Sequence, residues 1–305
     1  LPVAIPDSKT NKKGMTAMHY KLVKQLKDDN TLRKSFIDLA IKTFDLSFDA
    51  WYQQGYWSES YIPYAFVDKN KVIANASANI IDLVWQGQPR RYIQIGTVMT
   101  NIDYRNKGLA GQLIQHILDD WRDKADAFFL FANSTTVDFY PKFGFTRTDE
   151  YQYVAPVSPT PGDFRKLDMD SAQDIALLKH YYQKSNPFSQ LRVENNFGLL
   201  MFYCSAFMKH FVYYSEKNQA VAIAMQSAHE LICFDIFCDA GQSMATIINE
   251  LAQPQSQQAV LGFTPKEARL GEYEKIDGDD MLFIYSNKEN IFHDNKLMFP
   301  LLAHA

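Results

Sequence analysis

The sequence predicts an α/β protein built from two similar halves, and three observations lead to this fold class. A strand pattern, a basic loop, an amphipathic helix and an apolar strand follow one another over residues 91–132. Residues 155–162 hold three prolines, which stiffen the chain and prevent regular strand pairing. The order of predicted elements before this linker then returns after it. The 305-residue length also favours two domains over one core.

Each element of the first half follows from its side-chain pattern. Residues 91–99 are rich in β-branched and aromatic residues, which is typical of a strand. In residues 109–121 the apolar side chains recur every four positions and form the wide apolar face of an amphipathic helix. Residues 127–132 are a continuous apolar run, as expected for a buried strand.

The loop between this strand and this helix predicts a phosphate site. The first turn of a helix has N–H groups without an internal partner and lies at the positive end of the helix dipole, so an anion binds there favourably. Gly108 has no Cβ to obstruct a close approach. Arg105 and Lys107 add positive charge. The alternative is that these two side chains belong to a solvated loop without a ligand.

With their spacing, these residues resemble the GNAT superfamily of acyl-CoA-dependent N-acyltransferases. The phosphate loop of that family is Gln/Arg-x-x-Gly-x-Gly/Ala, and Arg105, Gly108 and Ala110 match it. One helix and one strand later, residues 133–145 match the family's asparagine-containing turn, short helix and Phe-Tyr-x-x-x-Gly-Phe ending. The resemblance covers residues 60–153 most clearly. It implies a mixed, mostly antiparallel central sheet flanked by helices.

The resemblance also implies acyl-CoA contacts at three places. The end of the strand before the loop offers backbone groups to the pantetheine arm, the loop amides hold the pyrophosphate, and an asparagine binds pantetheine or a nearby water. The corresponding residues are Val98, Met99 and Thr100 on the strand, Arg105, Asn106, Lys107, Gly108, Leu109 and Ala110 in the loop, and Asn133. Asn133 is nearly as well suited to capping its own turn.

Tyr140 is the predicted catalytic residue. It matches the tyrosine whose hydroxyl lies near the CoA sulfur in the family, so it would protonate the leaving thiolate as a general acid. Packing alone is the alternative. A backbone N–H near Met99 would stabilise the negative charge that develops on the thioester carbonyl oxygen.

The general base is left open by the sequence. Some members carry a glutamate four residues before the position of Val98, where this chain has Gln94, and an amide cannot take the proton of the amine. The base is therefore a relayed water, another residue such as Glu59 or Asp82, or the chain terminus.

A group of aromatic side chains lies early in the chain. In the family this region walls the acceptor site, where aromatics would hold an apolar or cationic amine. Ordinary core packing is the alternative and accounts for more than half of them. The residues are Phe44, Phe48, Trp51, Tyr52, Tyr56, Trp57, Tyr61 and Tyr64.

The second half is predicted to be a degenerate GNAT-like domain. Its loop at residues 237–242 has no Arg-x-x-Gly-x-Gly, and Asp239 would repel a pyrophosphate, so we expect it to pack on the first half without binding CoA. The predicted elements are strands at 164–167, 211–215, 219–227, 231–238 and 259–263, helices at 175–183 and 244–251, and helix for much of 188–207.

Tandem halves of this kind are similar to the first two domains of the enhanced-intracellular-survival acetyltransferases. In those relatives a C-terminal carboxylate reaches the active site. The tail at residues 296–305 is unusually apolar, so we hypothesise the same for Ala305, as a base or as a clamp for the amine. Burial of the tail purely for packing is the simpler alternative.

The resulting division is a flexible lead-in at 1–18, with Met15 or Met18 as alternative starts, a catalytic domain at 19–154, a linker at 155–162 and the second domain at 163–305.

A hydrophobic content of 47% and a net charge of −4 indicate a globular chain without a nucleic-acid surface. Three cysteines without a Cys-x-x-Cys pair favour reduced thiols in the cytoplasm. No apolar run has the length of a membrane span, and the histidines lack metal-site spacing.

The sequence thus predicts an acetyl-CoA-dependent N-acetyltransferase that acts on a small-molecule amine, without a metal. Two alternatives stay open: a protein or peptide N-acetyltransferase, and a non-catalytic CoA-binding regulator. Tandem GNAT-like halves also occur in aminoacyl-tRNA-using peptidoglycan transferases, but those need a basic surface that this composition does not show. A homo-oligomer is compatible with the sequence.

Overall fold

The structure is a computed structural model that describes residues 20–227, 229–268, 271–286 and 288–305. The predicted lead-in at residues 1–18 lies outside the described residues. The described chain is a mixed α/β fold with two sheets flanked by helices, which confirms the predicted fold class. No helix in this part of the chain is both long enough and apolar enough to cross a membrane.

Fifteen strands and six α-helices make up the described chain. The strands are β1 (Lys21–Lys24), β2 (Tyr61–Asp68), β3 (Lys71–Trp85), β4 (Gln88–Thr100), β5 (Ala127–Ala132), β6 (Thr146–Arg147), β7 (Tyr151–Pro156), β8 (Arg165–Lys166), β9 (Leu191–Glu194), β10 (Val212–Ser215), β11 (Ala220–Ser227), β12 (Glu230–Cys238), β13 (Gln258–Leu261), β14 (Glu272–Lys275) and β15 (Met281–Tyr285). The helices are α1 (Asn30–Phe44), α2 (Asp49–Gln53), α3 (Leu109–Trp121), α4 (Ala172–Tyr182), α5 (Phe197–Phe202) and α6 (Met244–Leu251), with a π-helix at Tyr203–Phe207 and short 3₁₀ turns that include Tyr140–Phe143 and Leu301–Ala303.

The first sheet has the order β1-β2-β3-β4-β5-β15-β6, with β9 paired to β3. Neighbouring strands are antiparallel except β4 and β5, which run parallel. Successive side chains of β2 point to opposite faces, as the period of a strand requires. Tyr64 and Phe66 therefore pack with α3, whereas Ala65 and Val67 pack with α1. Helices cover both faces of the sheet, and a cleft is left open between β4 and β5.

The second sheet repeats this plan, with the order β14-β7-β13-β12-β11-β10-β8. Strands β12 and β13 are parallel, as β4 and β5 are. In each sheet, the strand that lies beside the second member of the parallel pair comes from the other half of the chain. It is β15, beside β5, in the first sheet and β7, beside β13, in the second. The predicted domain boundary at residue 154 thus lies inside β7. The division of the chain into a catalytic and a second domain stays a prediction.

Most predicted elements of the second half are confirmed within one or two residues, and α6 matches at both ends. Helix α4 begins three residues earlier than predicted, at Ala172. A larger difference concerns the helix expected over much of residues 188–207. Helix is present from Phe197 onward, but Leu191–Glu194 forms β9 and pairs with β3. Apolar and polar residues alternate in that tetrapeptide, which is the period of a strand. Strands β14 and β15 were not predicted from the sequence.

Candidate active site

A cleft of about 530 Å³ lies where β4 and β5 diverge. The two strands are paired over only three residue pairs, ending at Gln94 and Phe129. Both strands then continue without pairing to each other, β4 to Thr100 and β5 to Ala132. The divergence leaves a wedge-shaped opening between them, and residues of both strands line it.

A β-bulge in β4 contributes to this divergence. Thr97 and Val98 of β4 lie opposite the single residue Ala76 of β3, and Thr97 has φ of 49°. Asn75 donates from Nδ2 to the Thr97 carbonyl oxygen at 3.0 Å, and the Tyr61 hydroxyl lies 2.6 Å from the Thr97 hydroxyl. A bulge bends its strand and increases the local twist. Buried polar side chains therefore fix the point at which β4 turns away from β5.

The three predicted pantetheine-binding residues follow directly in the strand. Val98 is half-buried and lines the cleft. The Met99 side chain is 2% exposed and packs into the core under α1. Thr100 is half-buried, and its carbonyl oxygen accepts a hydrogen bond from Arg105 Nε at 3.4 Å. Their backbone contacts with a ligand stay a prediction.

The predicted phosphate loop leads into a helix start that no side chain caps within the described residues. The N-cap of α3 is Gly108, with φ of 72°, a left-handed conformation that glycine adopts without strain. Four other helices are capped by their own side chains, namely α1 by Asp29, α4 by Ser171, α5 by Asn196 and α6 by Ser243. The first-turn N–H groups of α3 thus remain suited to an external anion.

The charged side chains of this loop are exposed. Residues 105–108 all lie at the surface, Leu109, the first residue of α3, is buried, and Ala110 is half-buried. The Lys107 ammonium lies 4.6 Å from the centre of the Tyr104 ring. The loop therefore presents positive charge next to an uncapped helix start, which is the donor set that a pyrophosphate needs.

Tyr140 begins the short 3₁₀ helix Tyr140–Phe143 and lines the cleft. Its ring packs near Phe139, at 5.2 Å between ring centres, and near Phe283 of β15, at 6.3 Å. The residue is only 6% exposed, and burial raises the pKa of its hydroxyl to about 12. The phenol is therefore protonated at neutral pH, as a general acid must be before it reacts.

Asn133 lies exposed at the edge of the cleft. Its Oδ1 accepts hydrogen bonds from the Thr135 N–H at 3.1 Å and the Thr135 hydroxyl at 2.6 Å. The next amide, that of Ser134, donates to Asp279 at 3.1 Å. The asparagine thus caps its own turn, as the alternative interpretation expects, and its contact with CoA stays a prediction.

Gln94 and Ala305 are bound to each other at the inner end of the cleft. Gln94 Oε1 accepts from the Ala305 N–H at 2.9 Å, and Gln94 Nε2 donates to the Ala305 carbonyl oxygen at 3.1 Å. A Cβ at Gly96 would lie 2.5 Å from that oxygen, so only glycine leaves room for the tail. The tail therefore reaches the place where some relatives carry a glutamate.

The other two base candidates lie elsewhere. The Glu59 side chain is 74% exposed and pairs with Lys27. Asp82 pairs with Arg91 at 2.7 Å. Neither lines the cleft, whereas Ala305 does.

Two further residues of the cleft were missed from the sequence. The ring of His304 stacks on Phe131 at 4.1 Å, and burial lowers its pKa to about 4, so the imidazole is neutral near pH 7. The Tyr203 hydroxyl donates to the His304 carbonyl oxygen at 2.6 Å and so positions the tail. The apolar character of residues 296–305 was the one signal that could have indicated His304.

Half of the early aromatic group lines the cleft, as Phe44, Phe48, Trp51 and Tyr61. Phe202 and Tyr203, from the second half of the chain, complete this wall. The other early aromatics do not line the cleft. Tyr64, for example, donates from its hydroxyl to Asp120 at 2.9 Å.

Residues 30–148 match the family model of the acetyltransferase (GNAT) domain. This match covers the β4–α3–β5 unit, the loop and Tyr140. This part of the chain therefore carries a GNAT acetyltransferase domain. A search of curated proteins found no match.

Several solved structures share the fold over most of this chain. A conserved protein of unknown function from Enterococcus faecalis V583, described as a probable N-acyltransferase, has a TM-score of 0.61 at 15% identity, over 88% of this chain and 73% of its own. A GCN5-related N-acetyltransferase from Kribbella flavida has a TM-score of 0.54 at 15% identity, over 87% and 71%. Eis1 from Mycobacterium abscessus has a TM-score of 0.51 at 13% identity, over 82% and 70%. At these identities the likeness concerns the fold alone.

Proposed function

We propose that this GNAT protein transfers the acetyl group of acetyl-CoA to the amino group of a small molecule. One observation supports this above the others. The divergence of β4 and β5 forms a cleft lined by Tyr140, and β4 leads directly into the uncapped, basic start of α3. A thioester in the cleft would thus have its phosphates near the loop and its sulfur near a protonated phenol.

The described residues support acyl-CoA binding at two of the three expected places. The N–H groups at the start of α3, with Arg105 and Lys107, would hold the pyrophosphate. The part of β4 that no longer pairs with β5 would offer backbone groups to the pantetheine arm. Bound there, acetyl-CoA would supply an activated acyl group. The protein would have to orient the amine, stabilise the carbonyl oxygen and transfer the protons.

The proposed reaction forms one bond and breaks one. The amine nitrogen bonds to the thioester carbonyl carbon, the carbon–sulfur bond breaks, and the products are an N-acetylated amine and free CoA. The nitrogen loses one proton, and the sulfur gains one from Tyr140. A backbone N–H near Met99 would stabilise the carbonyl oxygen, and the cleft would hold the two reactants in line.

We propose that the tail at Ala305 holds the group that takes the proton from the amine. Gln94 cannot act as a base, but its amide holds Ala305 through two hydrogen bonds. Tyr203 fixes the preceding residue. The tail would thus take the place that a glutamate side chain has in some relatives.

The volume of the cleft favours a small acceptor. Pockets for small ligands typically measure about 300–1,000 Å³, and this cleft falls in that range. Side chains from α1, the π-helix and the tail surround it. A protein acceptor would have to insert a single residue past these walls.

Acceptor-dependent release of free thiol tests the proposal. The protein is incubated with acetyl-CoA and either a panel of small amines or a set of peptides with free N-termini and lysines. We expect thiol release with small amines and none without an acceptor. Release with peptides alone would assign a protein acceptor, and CoA binding without release in either set would contradict the proposed enzyme.

Deletion of Ala303–Ala305 tests the role of the tail. We expect kcat to fall at least about tenfold, as for loss of a general base, with little change in the Kd for CoA. In the deleted chain, Gln94→Glu should restore part of kcat because it supplies a carboxylate at the same place. Unchanged turnover after the deletion would overturn the role of Ala305.

A further inference from the structure

We infer that the acceptor is a monoamine with an aromatic or branched apolar body, rather than a polyamine or an amino sugar. The inference rests on the proposed acetyl transfer and concerns the same cleft. It depends on what the aromatic wall of the cleft offers to a ligand: its surface, its hydrogen-bonding groups, its charge and its exposure to water.

The wall is an aromatic surface built by both halves of the chain. Phe48 from the first half stacks with Phe202 from the second, with ring centres 5.6 Å apart and 27° between the planes. Trp51 meets the same Phe202 ring edge-on at 5.5 Å. Such packing buries Phe48 and Trp51 and fixes the half-buried Phe202 ring in place, so an apolar body would meet a preformed Phe202 surface.

The polar groups of this wall are already bonded within the protein. The Trp51 indole N–H donates to the Gly198 carbonyl oxygen at 2.7 Å. The Tyr61 hydroxyl lies 2.6 Å from the Thr97 hydroxyl, and the Tyr203 hydroxyl donates to the tail. The wall therefore presents ring carbons. An acceptor with many hydroxyl or ammonium groups would lose hydration there without gaining partners.

The charge of the cleft fits one amino group. Among the described side chains that line it, Asp280 is the one carboxylate, and lysine and arginine do not occur. His304 is neutral because burial lowers its pKa to about 4. A polyamine with three ammonium groups, such as spermidine, would therefore exceed the counter-charges of the cleft, whereas a single amine needs only the reacting position.

The mouth of the cleft leaves large aromatic side chains in water. Phe44 lines it and is 47% exposed. Phe207, at the end of the π-helix, is 55% exposed and packs 5.8 Å from Phe202. Exposed apolar surface beside a pocket commonly marks a ligand site, and π-helical turns are frequent at such sites. Phe207 does not line the cleft, so an apolar acceptor body bound there would cover the Phe44 ring.

The test compares kcat/KM for four acceptors with acetyl-CoA: 2-phenylethylamine, n-butylamine, spermidine and glucosamine. Covering an aromatic ring favours the first, so we expect its kcat/KM to exceed each of the others by at least about tenfold. Higher kcat/KM with spermidine or glucosamine would overturn the inference while leaving acetyl transfer in place. Absence of thiol release with every amine would overturn the proposed function itself.

A pair of variants on α1 locates the effect. Phe44→Ala should lower kcat/KM for 2-phenylethylamine about fivefold, because it removes apolar surface, and should leave n-butylamine within about twofold. Ile41→Ala is the matched control, since Ile41 is 42% exposed on the same helix and does not line the cleft. It should change neither value. Equal losses for both amines in Phe44→Ala would contradict an apolar acceptor site.

Discussion

The two sheets of this protein share one plan but differ at the opening beside their parallel strand pair. In the first sheet, the divergence of β4 and β5 forms the cleft. In the second, the parallel pairing of β12 with β13 ends at Cys233, and β12 carries an extra residue, Phe234, directly afterwards. There the tail closes the opening: the Leu301 N–H donates to the Gly262 carbonyl oxygen at 2.9 Å, and Leu302 is 6% exposed among the core residues.

The helix starts that follow these openings differ in the same way. The start of α3 has a glycine N-cap and basic neighbours, whereas Ser243 caps α6 by accepting from the Thr246 N–H at 3.2 Å. We call the loop between β4 and α3 the first junction and the loop between β12 and α6 the second junction. Asp239 in the second junction pairs with Lys184 at 2.6 Å. The same backbone arrangement can therefore bind a ligand or exclude it. The outcome depends on whether the N–H groups at the helix start already have a partner within the protein.

A glutamate in the first junction should have the largest effect. Gly108→Glu would place a carboxylate at the start of α3 and strain a backbone with φ of 72°. We expect CoA affinity, measured by calorimetric titration, to fall at least about 100-fold, since a repelled pyrophosphate loses charge-assisted bonds. Gly241→Glu is the matched control, because Gly241 has φ of 109° in the second junction. Equal loss in both variants would show that strain alone is responsible.

Removal of one hydroxyl should separate catalysis from binding. Tyr140→Phe should lower kcat about 100-fold, the size expected for loss of a general acid, and leave the Kd for CoA within about twofold. Tyr182, at the second opening, accepts from the Asn196 N–H at 2.9 Å and serves as the control tyrosine. Tyr182→Phe should retain kcat. If Tyr140→Phe weakens CoA binding as much as turnover, the general-acid role is wrong.

The tail connects the two openings, and Glu150 holds it. Its Oε1 accepts from the Phe299 N–H at 2.8 Å, and burial raises the pKa of this carboxyl to about 7. Between pH values of about 4.5 and 7, the folded chain keeps a proton that the unfolded chain releases. The free energy of unfolding therefore falls as pH rises through this window.

Glu150→Gln should remove that pH dependence. We expect a gain in unfolding free energy on the order of 1–3 kcal/mol at pH 8 and little gain at pH 4, because the amide still accepts from Phe299 without a buried charge. Denaturant unfolding at the two pH values measures it. Exposed Glu274→Gln is the control and should change stability little at either pH. A gain of equal size at both pH values would exclude the titration of Glu150 as its cause.

The smallest effect concerns the cap of the second junction. Ser243→Ala should lower the free energy of unfolding by about 1 kcal/mol, since the α6 start loses its side-chain cap. CoA stoichiometry should stay at one per chain because the tail still fills the second opening. Binding of a second CoA in this variant would show that the cap, rather than the tail, excludes the ligand.

Local patterns predicted a large part of the fold and of the candidate site. Helices α3 and α6 and strand β5 match at both ends, because periodicity and caps lie within each segment. The loop at residues 105–110 and the segment at 133–145 indicated the family from their spacing. The short strands β9 and β15 could not be predicted this way, since each is fixed by pairing with a strand far away in sequence.

The sequence by itself determined which elements form, which junction is basic and which tyrosine follows it, because these depend on neighbouring residues. Tertiary structure decided what surrounds them. It brought Phe283 against Tyr140, Phe202 against Phe48, and Ala305 against Gln94. These contacts join residues more than 140 positions apart, and only the exchange of strands and the path of the tail bring them together.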